Sequence, residues 1–140
     1  MAIVYKKVTK KTKKKRNKDR YMQMLWRQAV LKFWGMKCVF CGNPDILGLE
    51  AHHLVKRKNK ILRHDYRNGI PLCKYGCHAE ADTLEGMQKI QKIVPKAQIV
   101  YLKTFEKMNY KDFLIDRQMT NLEYMKEMKQ ELNEFIKSND

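Results

Sequence analysis

The sequence predicts an α+β fold: a small ββα core with a four-cysteine zinc knuckle, flanked by N- and C-terminal helices. Two segments, LGLEAHHLV (47–55) and GIPLC (69–73), read as short strands. Two cysteine pairs bracket them, Cys38/Cys41 before the first and Cys73/Cys77 at the end of the second. Helical patterns lie on either side. At 140 residues the chain suits one compact core with little room for a second.

The elements follow in order. Residues 1–19 form a basic tail. Residues 20–34 (RYMQMLWRQAVLKFW) read as a helix with one broad apolar face, stopped by Gly35. The first cysteine pair makes a knuckle, and Asn43-Pro44 marks a turn. A polar, basic loop (56–68) joins the two strands. CHAEADTLEGMQKIQKI (77–93) reads as one helix, weakened by Gly86 and ended near Pro95. The segment after Pro95 reads as helix, with the proline at its first turn. KDFLI (111–115) is short and apolar and reads as extended. Thr120 and Glu123 form a T-x-x-E capping box. Leu122, Met125, Met128, Leu132 and Phe135 then recur every three or four residues, giving an amphipathic helix over 121–137. Its methionine-rich stripe suits core packing, self-association or a protein partner rather than a cofactor. The domain reading is a disordered tail (1–19), a central domain (20–95) and a helical C-terminal extension (96–140).

Charge points to a polyanionic partner. Thirty Lys and Arg against fifteen Asp and Glu give +15, with pI near 9.7. Residues 1–20 carry ten of the basic side chains and one acid, Asp19. Such a run repels itself when free, and it favours nucleic acid over a merely solubilising surface. Lys13, Lys14, Lys15 and Arg16 are its candidate phosphate contacts, giving salt-sensitive affinity blind to sequence. No apolar stretch approaches the roughly 20 residues that span a bilayer. The N-terminus lacks the apolar stretch of a secretory signal, so a cytoplasmic location is expected.

In that compartment disulfides do not persist, and paired cysteines read as metal ligands. The C-x2-C and C-x3-C pairs are separated by 31 residues. Zn²⁺ takes four thiolates in a tetrahedron at about 2.3 Å, and such a closed site is structural. Four unrelated buried cysteines, or a redox pair, explain two tight pairs less well. The second pair has one residue more than the usual spacing.

Three of the four histidines fall in the same region. His52 and His53 are neighbours on a strand, so they face opposite sides and suit different tasks. His78 follows Cys77 directly. A cation held by His52 and His78 with open positions is a Lewis acid. Asp82, four residues after His78, is a candidate oxygen ligand on the same helical face. His53 titrates in the range where it can take a proton from water. His64 reads as an ordinary packed or surface histidine.

The segment LEAHHLVKRKNKILRHDYRNGIPLCKYGCHAEAD resembles the ββα-metal core of the HNH endonuclease family, in the zinc-binding versions common in bacteriophages. The likeness runs from about Lys37 to Thr83. It implies a phosphodiester hydrolase acting on double-stranded DNA in a bacterial or phage-infected cell. His53 resembles the general base, and Asn68 the residue that holds the loop and orients that base. His52 and His78 resemble ligands of one divalent cation, Mg²⁺ or Mn²⁺, Ni²⁺ or Zn²⁺. Asp82 stands where some members have another histidine. Arg57 and Arg63 are candidate phosphate contacts on chemical grounds, because guanidinium binds phosphate bidentately. Two other classes fit part of the pattern: a zinc-stabilised nucleic-acid-binding module without turnover, and a recombination or packaging accessory docked through the C-terminal helix.

Overall fold

A computed structural model describes residues 10–138 of the chain, and of residues 10–12 only the backbone. The fold is α+β, with six α-helices and one two-stranded antiparallel sheet among the described residues. Helix α1 spans Lys10–Phe33, strand β1 Leu49–His53, strand β2 Gly69–Cys73 and helix α2 Cys77–Ala81. Helices α3 (Leu84–Ile93), α4 (Lys96–Glu106), α5 (Tyr110–Asp116) and α6 (Asn121–Lys137) complete the chain.

Helix α1 corrects the expectation of a disordered tail over residues 1–19. Residues 10–19 continue the helix, while 1–9 lie outside the described residues. The physical reason is propagation. Once the apolar face from Met22 onward is packed, each added Lys or Arg extends an existing helix and needs no new nucleus.

Two further differences have local causes. The helix expected over 77–93 breaks at Asp82–Thr83, where Thr83 caps α3 by accepting from Gly86 N at 3.0 Å. Gly86 is required by that crossing, because a Cβ there would lie 1.9 Å from the Glu80 carbonyl oxygen. The segment 111–115 is helical rather than extended. Asn109 Oδ1 accepts from Asp112 N at 3.2 Å to start α5, and one helical turn carries Phe113 into the core. The capping box of α6 forms as the sequence indicates.

The core does not divide at residue 95. Met22, Leu25, Trp26, Ala29 and Val30 of α1 pack with Ile61 and Leu62 of the inter-strand loop and with Leu102, Phe113, Tyr124, Met128 and Leu132 of α4–α6. Helix α6 is tied to α1 at its far end as well. The Lys32 ammonium donates to the carbonyls of Phe135 (2.7 Å), Ile136 (3.2 Å) and Ser138, covering the exposed end of the α6 dipole. A second core holds the sheet: Leu31, Cys38, Leu49, Ile70, Leu72, Cys73, Ala81 and Val94. No helix among the described residues is long and apolar enough to cross a membrane.

The loop between the strands is polar in sequence yet largely folded inward. Asp65 is buried and accepts from Arg67 N (3.0 Å) and Nε (2.9 Å), while Tyr101 Oη donates to its other oxygen. Gln98 Nε2 donates to the Arg67 carbonyl at 2.7 Å, and Arg67 pairs with Glu131 at 3.1 Å. Helices α4 and α6 thus hold the loop from behind.

His64 is 4% exposed. Burial, with the neighbouring Arg63 charge, pushes its pKa from 6.5 down to about 4. The unfolded chain therefore binds a proton below 6.5 that the folded protein refuses until about 4. Stability is full above 6.5 and should drop by roughly 3 kcal/mol as pH falls through that window. Denaturant titrations at pH 6.5 and 5 check this, and a His64→Phe variant should show a flatter dependence.

Candidate functional site

The β1–β2 register sets the site. His53 pairs with Gly69, His52 with Ile70 and Glu50 with Leu72. Alternation then places Glu50 and His52 on one face and His53 on the other. On the first face the chain brings α2 across, and the rings of His52 and His78 lie 5.2 Å apart, edge to face. His78 Nδ1 donates to Glu50 Oε2, so Nε2 is the ring nitrogen of His78 left to face a cation. Glu50 is a residue that sequence reasoning passed over. The signal was its i, i+2 spacing from His52, which shares a strand face.

On the opposite face His53 stacks on Trp26 of α1, with ring centroids 3.9 Å apart and planes inclined by 9°. The Trp26 indole donates to the Asp65 carbonyl at 2.8 Å, so its own orientation is fixed. His53 Nε2 lies 2.9 Å from the carbonyl oxygen of Arg63. A carbonyl only accepts, so this nitrogen carries the hydrogen and Nδ1 keeps a lone pair. Burial lowers the His53 pKa below 6.5; the Arg63 carbonyl opposes the shift, while Arg57, His52 and Arg63 add to it. His52 is lowered too, by burial and then by His78, with Asp82 opposing. Both rings are neutral at physiological pH and can act as bases or ligands.

Asn68 is fully buried. Its Oδ1 accepts from Val55 N at 2.6 Å, and its Nδ2 donates to the carbonyls of Val55 (3.0 Å) and Leu62 (3.1 Å). One side chain therefore closes the whole 54–68 loop around the end of β1. Arg57 is exposed and Arg63 half-buried on that loop, each close enough to His53 to act on its charge.

Asp82 is not gathered in. Helix α2 ends at Ala81, Asp82 is its exposed cap, and its carboxylate only influences His52 across space. Among the described residues, the one set of three or more His, Cys, Asp and Glu donors within 4.8 Å of one another is Cys38, Cys41, Cys73 and Cys77. Asp82, the C-cap of α2 with its backbone still in the right-handed helical region, keeps its place four residues after His78, but its carboxylate and the His52 and His78 donor atoms do not all come within 4.8 Å of one another.

The four cysteines are free thiols, and Cys41 and Cys73 sulfurs lie 3.8 Å apart. A Zn–S bond of about 2.3 Å gives a tetrahedral S···S edge of roughly 3.8 Å, so the donor set fits a zinc ion. Gly76, at φ +132°, makes the turn that lets a three-residue spacer return its second sulfur. Burial opposes ionisation of Cys38, but amide N–H groups of Cys41, Cys73 and Phe40 outweigh it and bring the pKa to about 7. Burial and the other three sulfurs push Cys77 far up. Four adjacent thiolates need a cation to coexist. The first knuckle is also tied to the sheet, with Val39 N donating to the Pro71 carbonyl at 3.0 Å.

Two cavities, of about 60 and 450 Å³, lie beside α4–α6 and include none of the histidines. His52, His53 and His78 are half-buried and line neither cavity. Comparison with protein-family models, with curated proteins and with solved structures finds no match for the chain.

The cysteine geometry has a direct test. Metal analysis of the purified protein should find one zinc per chain, retained after dialysis and lost in a Cys73→Ser variant. Stripping it with a strong chelator should lower the melting temperature by at least 10 °C, since structural zinc contributes folding free energy.

Proposed function

We propose that the protein is a small metal-dependent DNA endonuclease of the HNH type. What supports the reading is one arrangement: two imidazoles 5.2 Å apart on one face of a strand end, and on the other a histidine whose Nε2 is held 2.9 Å from a carbonyl. The first pair suits a cation, and the second histidine suits a base with a free Nδ1. The ordered residues His52, His53, Asn68 and His78, which resemble the HNH motif, add to it. The strongly basic composition supports a nucleic acid as the substrate, and the HNH resemblance narrows it to DNA.

His52 and His78 would hold the divalent ion, with Glu50 fixing His78 from behind. When bound, such an ion supplies Lewis acidity to a phosphate oxygen and to the leaving oxygen. The chain's own residues do the rest. His53 Nδ1 takes a proton from water, and the oxygen of that water forms the new bond to phosphorus. The bond from phosphorus to the 3′ oxygen breaks, and that oxygen takes a proton from solvent. The products are a 5′-phosphate and a 3′-hydroxyl. Trp26 and the Arg63 carbonyl hold the base in plane, so little orientation is left to find at the moment of reaction. Arg57 and Arg63 would bind flanking phosphates. Asn68 acts one step back, by fixing the loop that carries the Arg63 carbonyl. The four-cysteine site would be structural zinc, holding the start of α2 against the sheet.

The test is nicking of supercoiled plasmid with Mg²⁺, Mn²⁺ or Ni²⁺. The expected result is cleavage that depends on the added cation. A His53→Ala variant should cut at least 100-fold more slowly, on the scale of a lost general base, while keeping its zinc and its affinity for DNA. Equal cleavage by His53→Ala would reject the assignment of the base. Tight DNA binding with no cleavage under any cation would instead favour a non-catalytic binding module.

A further inference from the structure

The basic segment of α1 is rigidly related to the histidine site, because the same helix carries both. Trp26 stacks on His53, and Asp19, two turns earlier on the same face, is close enough to His64 to act on its charge. The 54–68 loop therefore lies along this face of α1. Lys15 and Arg16 come four and three residues before Asp19, so they continue the face just past the edge of the loop. Residues 13–18 are exposed, and the apolar packing starts at Met22. Four like-charge neighbours, Lys14/Lys18 and Arg16/Arg20, sit at i, i+4 with no acid in the first turn of the helix. Such pairs cost the free helix stability that a row of phosphates would return.

We infer that Lys15 and Arg16 form a second phosphate-binding site on duplex DNA, at a fixed distance from the reacting phosphate. Ten residues of helix separate Arg16 from Trp26, about 15 Å at 1.5 Å per residue. At 3.4 Å per base pair this is roughly 4–5 base pairs of duplex. The helix extends from one side of the site, so the contact falls on one side of the scissile bond. The substrate class that follows is a duplex extending at least that far on that side, rather than a nicked end or a short overhang. The inference rests on the nuclease reading for its reference point, but its binding terms do not.

The experiment compares the full-length protein with a Lys15→Ala/Arg16→Ala variant and a Lys126→Ala/Lys137→Ala control, which removes the same charge from α6. A fluorescein-labelled 30-base-pair duplex is titrated by anisotropy between 50 and 200 mM KCl, without added divalent cation. The variant's log–log salt slope should be shallower by about 2, the value for two lost phosphate contacts, and the control's slope should not change. In cleavage assays KM should rise about tenfold with kcat unchanged. Duplexes trimmed to within 3 base pairs of the cut on one side should lose the wild-type advantage, while trimming the other side should not. A variant slope equal to the wild type, the same change in the control, or equal tolerance to trimming on both sides overturns the inference. So does an equal loss on single-stranded RNA, which would mark a general polyanion site. If the wild type cuts nothing, the nuclease reading fails and the salt slopes still decide whether these two side chains bind duplex phosphates.

Discussion

The buried carboxamide of Asn68 is the constraint on which the rest of the site depends. It satisfies three backbone groups, two on Val55 at the start of the loop and one on Leu62 in its middle, and is itself wholly out of water. A buried amide so placed is costly to lose, since each orphaned group costs about 1–3 kcal/mol. Because it closes the loop at the end of β1, it decides where the Arg63 carbonyl stands, and through that carbonyl which nitrogen of His53 keeps its lone pair. Geometry at the histidine end of the strand is thus set by a side chain that lies wholly inside the protein.

Helix α1 is the second element of this arrangement. Trp26 on it and Trp34, the residue just past its end, donate to backbone carbonyls on either side of Asn68, Trp26 to Asp65 and Trp34 to Gly69, both at 2.8 Å. Helices α4 and α6 reach the same loop through Gln98, Tyr101 and Glu131. The cysteine cluster acts from the other direction, fixing the start of α2 and so the position of His78. A sheet of only two five-residue strands would be marginal alone. Here it is braced by a helix on one side, a four-cysteine cluster at its end and a closed loop at its turn.

Much of this was legible in the residues. The cysteine spacing, the strand containing His52 and His53, the short strand at 69–73 and the capped helix at 121–137 all follow from local chemistry, and local chemistry prevailed there. What escaped was set by tertiary contacts. The loop at 56–68 looks solvated because it is rich in Lys and Arg, yet Ile61, Leu62, His64, Asp65 and Asn68 turn inward. Residues 10–19 look disordered by charge alone, yet they prolong a helix that is anchored elsewhere. Phe113 is drawn into a helix by the Asn109 cap. Glu50 and Trp26 carry no motif, and they matter because of strand alternation and of a ring stack between residues 27 positions apart.

The central claim is that His52 and His78 share a cation distinct from the one held by sulfur. Anomalous diffraction from crystals grown with Mn²⁺, collected so that manganese and zinc are told apart, measures this directly. The account predicts a manganese peak within about 2.3 Å of both imidazoles, and a zinc peak among the four cysteines. Manganese found elsewhere, or no metal between the two rings at saturating concentration, would contradict it.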